Sequence, residues 1–472
     1  MTRNKNIWQS YVIIQEPLLS FHIEQSYYSE TKIEGLFNWG PFDNSILNNP
    51  LRPPNPIKLG IILPRKNESY FNNYLEYLNK QIESDDIYLK PYKGFREIYG
   101  VNLEIKFYEY IDNREVESCV LEKDVLDLYI KKISSAKNKY EFDVLLILIP
   151  SEFEKFIEVR KENYHFHLHD KIKLYAATQS IRTQIFREVR IPNLNKQKDL
   201  LRNIWWLSGV IYTKAGGVLY RLAEFDERIL YIGISYAIVP FTTSQKILIG
   251  VAQLFDEQGN NIRIDLFYTS DFTEFSQNPY LSENASRDIF QRILEIYRSA
   301  RIKPPSKVVI HKNSPFNNDE IKGIKQALSS IARLELLFIQ KHSPYRAIRL
   351  RNQTTAHLYP VLRGTTVKLD NDSFLLWTSG NISIRIKGQE LNYYQEQRHI
   401  PRPLLIRRFY GVDTLEEVAT DVMKLTKMNW NNLQYYNKLP VTVDFASRIA
   451  RISKQSKDIN PKSLPKDFRY YI

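Results

Sequence analysis

A single cysteine, Cys119, occurs in 472 residues. One thiol can build neither a disulfide framework nor a zinc–thiolate site, and it fits a reducing cytoplasm. Long apolar runs are missing as well. No stretch of about 18 residues reads as a membrane span, and no N-terminal segment reads as a secretion signal. A cytoplasmic protein without a membrane anchor is therefore expected. The chain has no low-complexity tract and no internal repeat. Acidic residues are in deficit, 53 Asp and Glu against 66 Lys and Arg, which leaves a net charge of +13. That balance favours a polyanionic partner, nucleic acid before membrane.

What remains is the composition of a folded protein, 43% hydrophobic and 25% charged. The length predicts two to four domains, each able to bury a core. The 31 tyrosines offer surfaces on which unpaired bases could stack, although most rings will fill cores. Residues 1–56 hold only short apolar runs, Tyr11-Val-Ile-Ile14 and Leu18-Leu19, and end at the linker Arg52-Pro-Pro-Asn-Pro56. This arm carries Trp8, Tyr11, Val12, Ile13, Leu18, Phe21, Leu36, Phe37 and Trp39 in too short a stretch to bury them alone. It is expected to pack on a partner or on the later domains.

From Ile57 the pattern is α/β. Ile57–Leu63 and the continuous apolar run Phe142–Ile149 read as strands of a parallel sheet, and Tyr70–Ile82 has helical periodicity. This predicts a Rossmann-like domain over 57–203. A helix near Ile204–Tyr212 leads to strands at Ile229–Val239, Lys246–Phe255 and Arg263–Tyr268. Helices at Ala285–Arg301 and Asp319–Arg333 then alternate with strands at Lys307–His311 and Leu334–Gln340, and the chain from Thr414 is mainly helical. A three-strand meander followed by alternating α and β is RNase H-like topology, expected over 204–472.

Three positions lack an acid where that topology invites one. Leu230-Tyr-Ile-Gly-Ile-Ser235 and Val308-Val-Ile-His-Lys-Asn313 are buried strands that each deliver a short polar side chain, and Ser447 follows on a late helix. A nuclease of this fold uses carboxylates there, because two divalent cations about 4 Å apart need several anionic oxygens. Hydroxyls and an amide are far weaker ligands for hard cations. Asp226, Asp319 and Asp444 lie close in sequence, but Asp226 precedes its strand and Asp319 reads as a helix N-cap. One remaining acid cannot assemble a two-metal site.

Elsewhere the residues point to an anion. His169 and Lys173 share a helical face, Gln184 follows the next turn, and Lys214 precedes Ala-Gly-Gly217, where backbone can approach a ligand closely. A Lys, a His and an amide converging on one point make a pocket for a terminal phosphate. Arg346, Arg349, Arg351 and Arg402, with Lys312, Arg363, Arg398, Arg407 and Arg408, suit a channel that holds backbone phosphates without reading sequence.

Several stretches in order resemble the short prokaryotic Argonautes, which consist of MID and PIWI domains only. They are Leu168-His-Asp-Lys-Ile-Lys173, Ile181-Arg-Thr-Gln184, Tyr212-Thr-Lys214-Ala-Gly-Gly217 and Leu230-Tyr-Ile-Gly-Ile-Ser235. Gly364-Thr-Thr-Val367, Arg402-Pro-Leu404, Pro440-Val-Thr-Val-Asp-Phe-Ala-Ser447 and Phe468-Arg-Tyr-Tyr-Ile472 follow. Gly35-Leu-Phe-Asn-Trp-Gly-Pro41 resembles the short members in particular.

The resemblance implies a MID domain at 57–203 and an inactive PIWI domain at 204–472, behind a partner-docking arm at 1–56. It implies that His169, Lys173, Gln184 and Lys214 grip a guide 5′-phosphate. The C-terminal carboxylate of Ile472 would help by holding Mg²⁺. Val210 departs from the pattern, standing where eukaryotic relatives carry a second pocket lysine. The implied function is a silent sensor in prokaryotic defence against plasmids or phage. It would load a guide RNA, pair it with single-stranded target DNA and activate an APAZ-domain effector carrying TIR, Sir2 or nuclease activity. The assembly would be a heterodimer, or a higher oligomer once activated. The alternatives are an active guide-directed nuclease with displaced acids, and silencing by occupancy alone.

Overall fold

The computed structural model describes residues 11–24, 26–46, 52–162, 164–223, 228–240, 246–256, 258, 260–276, 278–300, 303–350, 355, 357–386, 389–396, 399–455 and 464–472. Trp8, Asp226, Arg351 and Arg398 lie outside the described residues. The chain divides into two compact units, one drawing on 19–221, 430–433 and 451–472, the other on 1–18, 222–429 and 434–450.

The first unit is built on four parallel strands in the order Leu103–Ile111, Ile57–Pro64, Val144–Ile149, Thr183–Arg187. Val144–Ile149 is buried along its whole length, as its unbroken apolar run requires of an inner parallel strand. Val125, Tyr129 and Ile133 of the helix Glu122–Lys139 pack on Leu145 and Ile147, and Leu168 and Ile172 of the helix Leu168–Thr178 close the same core. The helix expected at Tyr70–Ile82 is Glu68–Glu76, because the chain turns to let Ile82 bridge Tyr92. Gln197–Lys214 is a helix of 18 residues, about 27 Å long.

Much of the supposed arm belongs to this unit. Leu19, Phe21, Leu36 and Phe42 are buried, and the Phe21 ring meets Trp39 and Tyr220 at 6.0 and 5.8 Å. Lys32, on the helix Lys32–Trp39, is buried and donates to the Asn432 carbonyl at 2.7 Å. These groups therefore need no partner protein to cover them. Tyr11, Val12 and Ile13 do remain exposed.

The second unit holds a nine-stranded sheet. At its centre, Ile229–Pro240 pairs in parallel with Lys307–Lys312, which pairs in parallel with Arg333–Gln340. On the other side Ile229–Pro240 pairs antiparallel with Lys246–Phe255, which pairs with Asn261–Thr269. The meander with alternating α/β was legible; the rest of the sheet was not. Leu404–Tyr410, Ser373–Leu376, Thr365–Lys368 and finally Val12–Ile13 extend it antiparallel beyond Arg333–Gln340. The helix expected at Asp319–Arg333 is Asn318–Ala327, with Asn317 as its cap and Glu320 completing the capping box, so Asp319 is a first-turn residue. Among the described residues, no helix is long and apolar enough to cross a membrane.

Candidate nucleic-acid interface

In the four-stranded unit, the lysines expected to bind phosphate converge. The His167 ring caps the helix Leu168–Thr178 by accepting from the Asp170 amide, and one turn later Lys173 points inward, 2% exposed. Lys214 ends its own helix, where a cation is favoured by the dipole. The chain leaves that helix through Gly216, whose φ of 121° lies in the region that favours glycine, and Gly217, where a Cβ would meet the Tyr212 ring at 2.2 Å. Lys173 Nζ and Lys214 Nζ both donate to a main-chain oxygen of Ile472, and Lys173 also donates to the Thr183 carbonyl at 2.6 Å. Gln184, next on that strand, is buried and spends its amide on the Ile185 carbonyl at 3.2 Å. Val210 is buried in the helix.

His169 lies one turn before Lys173. Burial, with the Lys173 charge adding, holds its imidazole well below the usual range despite a hydrogen bond to Asp170. An open edge, 35% of the side chain, tempers that burial. Burial alone would raise Asp170. The adjoining His167 and His169 rings and the Arg451 charge outweigh it and hold the carboxylate well below its ordinary value. Arg451 grips both Asp170 oxygens, at 3.0 and 3.1 Å.

Two metal questions follow. His167, His169 and Asp170 place ligand atoms within 4.8 Å of one another, but the Arg451 guanidinium already occupies the carboxylate. The Mg²⁺ expected at Ile472 would share its oxygen with two ammonium groups. These residues alone do not fit a divalent cation.

Sequence reasoning missed part of this pocket. Among the described residues, Thr183 Oγ1 and Thr213 Oγ1 are buried without hydrogen-bond partners, and so are Arg182 Nε and Arg469 Nε. Both arginines reach Asp467, at 3.6 and 3.4 Å. Buried polar atoms are normally satisfied, and four orphans on the strand, helix and turn that frame the lysines suit a polar ligand. The other missed residue is Asp43. Phe42 and Asp43 pair through their backbones with Leu219 and Val218, and the Asp43 carboxylate accepts from Tyr212 and the Val218 amide, so the former arm braces the loop after Lys214.

In the nine-stranded unit, the three positions without acids come together. The parallel register ends at Ile234 opposite Lys312, so Ser235 and Asn313 follow side by side. Asn313 Nδ2 is 3.2 Å from Ser235 Oγ and 3.1 Å from Ser447 Oγ. The helix Val441–Ser453 reaches this point because Gly233 lets it in: a Cβ there would meet the Thr442 carbonyl oxygen at 2.0 Å. Thr442 Oγ1 also bonds His311 Nδ1 at 2.8 Å. From Thr442 to Ser447 is about 7.5 Å of helix, and from Gly233 to Ser235 about 6.6 Å of strand, so the two serines arrive together. Asp444 is engaged elsewhere, by Asn429 at 3.2 Å and Arg448 at 3.7 Å, and Asp319 is exposed.

The proposed channel arginines separate into two groups. Lys312 is buried and paired with Glu320 at 2.7 Å. Arg363 is buried too: it donates to Glu16 at 2.8 and 3.1 Å, to Thr426 Oγ1 at 2.7 Å and to the Thr378 carbonyl. Both are structural ion pairs and leave the channel. Arg408 is tied to Asp372 and to the Asp413 carbonyl, whereas Arg407 is exposed. Arg346 and Arg402 are exposed, and with Lys341 they raise the local positive potential at Lys438, whose ammonium is lowered by burial and then by these three charges. Arg346 and Arg349 also border an apolar groove with Tyr11, Ile13, Ile348 and Trp377.

A four-stranded parallel α/β unit and a nine-stranded unit of RNase H-like topology define the fold, and both match Argonaute structures. The chain is 23% identical to the Protein argonaute of Aquifex aeolicus (strain VF5) over 387 residues, 82% of this chain and 48% of that protein. It superposes on Clostridium butyricum Argonaute bound to a guide DNA and a 19-mer target DNA with a TM-score of 0.66 and 16% identity, over 98% of this chain and 55% of that one. For Aa-Ago with externally bound siRNA the TM-score is 0.65 at 18% identity, over 98% and 56%. The chain thus spans about half the length of the relatives it matches. No protein-family profile matches it.

Proposed function

We propose that the chain is a catalytically silent, guide-loaded nucleic-acid sensor of the Argonaute kind. It binds a 5′-phosphorylated guide RNA at Lys173, Lys214, His169 and Gln184, pairs it with single-stranded target DNA, and passes the event to an APAZ-domain effector in prokaryotic defence. The observation that carries silence is the neutral, mutually hydrogen-bonded set Ser235, Asn313 and Ser447. It supplies no anionic oxygen at the point where two cations would need several. The occupied Asp444 speaks against a nuclease with displaced acids. Any Mg²⁺ at the guide end would rely on guide phosphates for the negative charge that the chain lacks there.

The test is direct. Purified chain, loaded with a phosphorylated guide and given a complementary target with Mg²⁺ or Mn²⁺, is expected to retain the target uncut. A single defined cut that disappears in Asp444→Ala would overturn silence. Coexpression with an APAZ-domain effector should yield a complex whose enzyme activity rises only when guide and matching target are both present. An effector equally active without target would sink the sensor role.

A further inference from the structure

We infer that Ser235, Asn313 and Ser447 form a cation-independent binding site for one backbone phosphate of a nucleic-acid strand. The inference rests on the proposed reading only in that the chain binds such strands. The set holds two hydroxyl protons and two amide protons, and it carries no charge. With Asn313 Nδ2 bridging the two hydroxyl oxygens, at 3.2 and 3.1 Å, both amide protons are spent inside the set. Ser447 O–H is then left to donate outward, but Ser235 O–H is buried and the amide Oδ1 adds an acceptor. With the amide turned over, Asn313 Oδ1 accepts from both hydroxyls and the two N–H groups point outward instead. The turned-over form is the one that suits an anion: its two free donors sit on the exposed Asn313, held by the serines, and a ligand there must bring acceptors.

Position and surroundings narrow that ligand. Asn313 stands just past the carboxyl end of Lys307–Lys312 and is exposed, as ligand-facing residues of open α/β sheets are. Ser235 is buried beneath it and Ser447 half-buried, so the donors sit on a fixed floor. Arg448, next to Ser447, holds Asp444 only loosely at 3.7 Å and can turn to an incoming anion. A phosphodiester offers two anionic oxygens close enough together for paired donors, and hydrogen bonds to a charged acceptor are stronger than neutral ones. Carboxylates at the same positions would repel that phosphate unless cations stood between. The substitutions that remove metal chemistry thus create a direct grip.

Guide-loaded chain should be titrated with targets, and unpaired chain with guides, in which single phosphates are replaced in turn by neutral methylphosphonates. One position, on one of the two strands, is expected to weaken binding to the wild type by about tenfold. It should have no further effect on Asn313→Ala, which removes both outward donors. Asn313→Asp, isosteric and exposed, should lose affinity for the native strand at low divalent cation and recover it with Mn²⁺. The neutralised strand should largely escape that loss. If every methylphosphonate position affects wild type and Asn313→Ala alike, the site does not bind phosphate. Wild-type chain that captures no strand at all would overturn the sensor reading as well, a result visible before any variant is made.

Discussion

Tyr212 donates a hydrogen bond of 2.7 Å to Asp43, across 169 residues of chain. Asp43 also accepts from the Val218 amide at 3.0 Å, just past the glycines that follow Lys214. Burial raises the Asp43 carboxyl above its ordinary value, more than the Tyr212 and Val218 hydrogen bonds lower it. A buried charge so placed is tolerated for its geometry. Asp43→Asn should therefore leave stability near or above wild type, whereas Asp43→Ala orphans two buried donors and should cost about 1–3 kcal/mol. Denaturant unfolding of both variants decides. Equal losses would show that charge, not acceptance, is what matters at this position.

The lysine pair gives the second prediction. Lys173→Ala with Lys214→Ala removes two charge-assisted hydrogen bonds, each worth roughly 1.5–3 kcal/mol. Affinity for a 5′-phosphorylated guide should fall by about 100- to 10,000-fold, with a smaller loss for a 5′-hydroxyl guide. Equal losses for both guides in a filter-binding titration would remove the pocket assignment. Residues appended after Ile472 should weaken the same preference, since its oxygen lies between the two ammonium groups.

His311 makes stability depend on pH. Burial, with Lys307 adding, pushes its imidazole down to about 3. Above about pH 6.5 both folded and unfolded forms are neutral; below it only the unfolded form gains the proton. Folding stability should thus fall by about 1.4 kcal/mol per pH unit from this one group as pH drops below 6.5. His311→Asn should flatten the curve between pH 6.5 and 4.5 by one proton. Parallel curves for the two proteins would exclude the imidazole as the cause.

Glu16 holds the chain's first described segment to the nine-stranded unit through Arg363 and Lys427. Burial opposes its charge, yet the two cations win and keep the carboxyl below its ordinary value. Glu16→Ala removes the carboxylate that the two buried cations share, and should cost about 3–5 kcal/mol. A loss under about 1 kcal/mol in equilibrium unfolding would mean that water reaches the pair freely.

On the proposed reading, the partner interface cannot be tested by deleting residues 1–50, because Phe21, Leu36 and Phe42 would leave a core. The exposed strand Val12–Ile13 at the sheet edge is the better target. Tyr11→Lys with Ile13→Lys should abolish co-purification of the effector while guide affinity stays within about twofold. Unchanged co-purification would move the interface elsewhere.

Sequence pattern carried the central strands because their apolar runs are unbroken and end in a polar residue. Ser235 and Asn313 could be paired before any coordinates, since parallel strands of matched length bring their ends together. Lys312 and Arg363 were misplaced for the opposite reason. A cation's partner fixes its burial, and Arg363 finds Glu16 a distant 347 residues away. For Lys312 a clue existed: it closes a wholly buried strand, and Glu320 follows eight residues on at a capped helix start. Asp43 offered none, because a lone acid in a turn has no periodicity. The outer antiparallel strands are short, and their alternation is too brief to separate from loop.

The pocket's order of manufacture also matters. Lys173 and Ile472 are 299 residues apart. At roughly 5–20 residues per second of synthesis, both lysine-bearing helices emerge many seconds before the oxygen that joins them. During that interval the two ammonium groups lack the Ile472 oxygen that they share in the folded chain. Any polyanion near the ribosome, ribosomal RNA included, can compete for them. The pocket is therefore complete only once Phe468–Ile472 has joined the two lysine-bearing helices, so a chain lacking that turn should lose its discrimination between one polyanion and another.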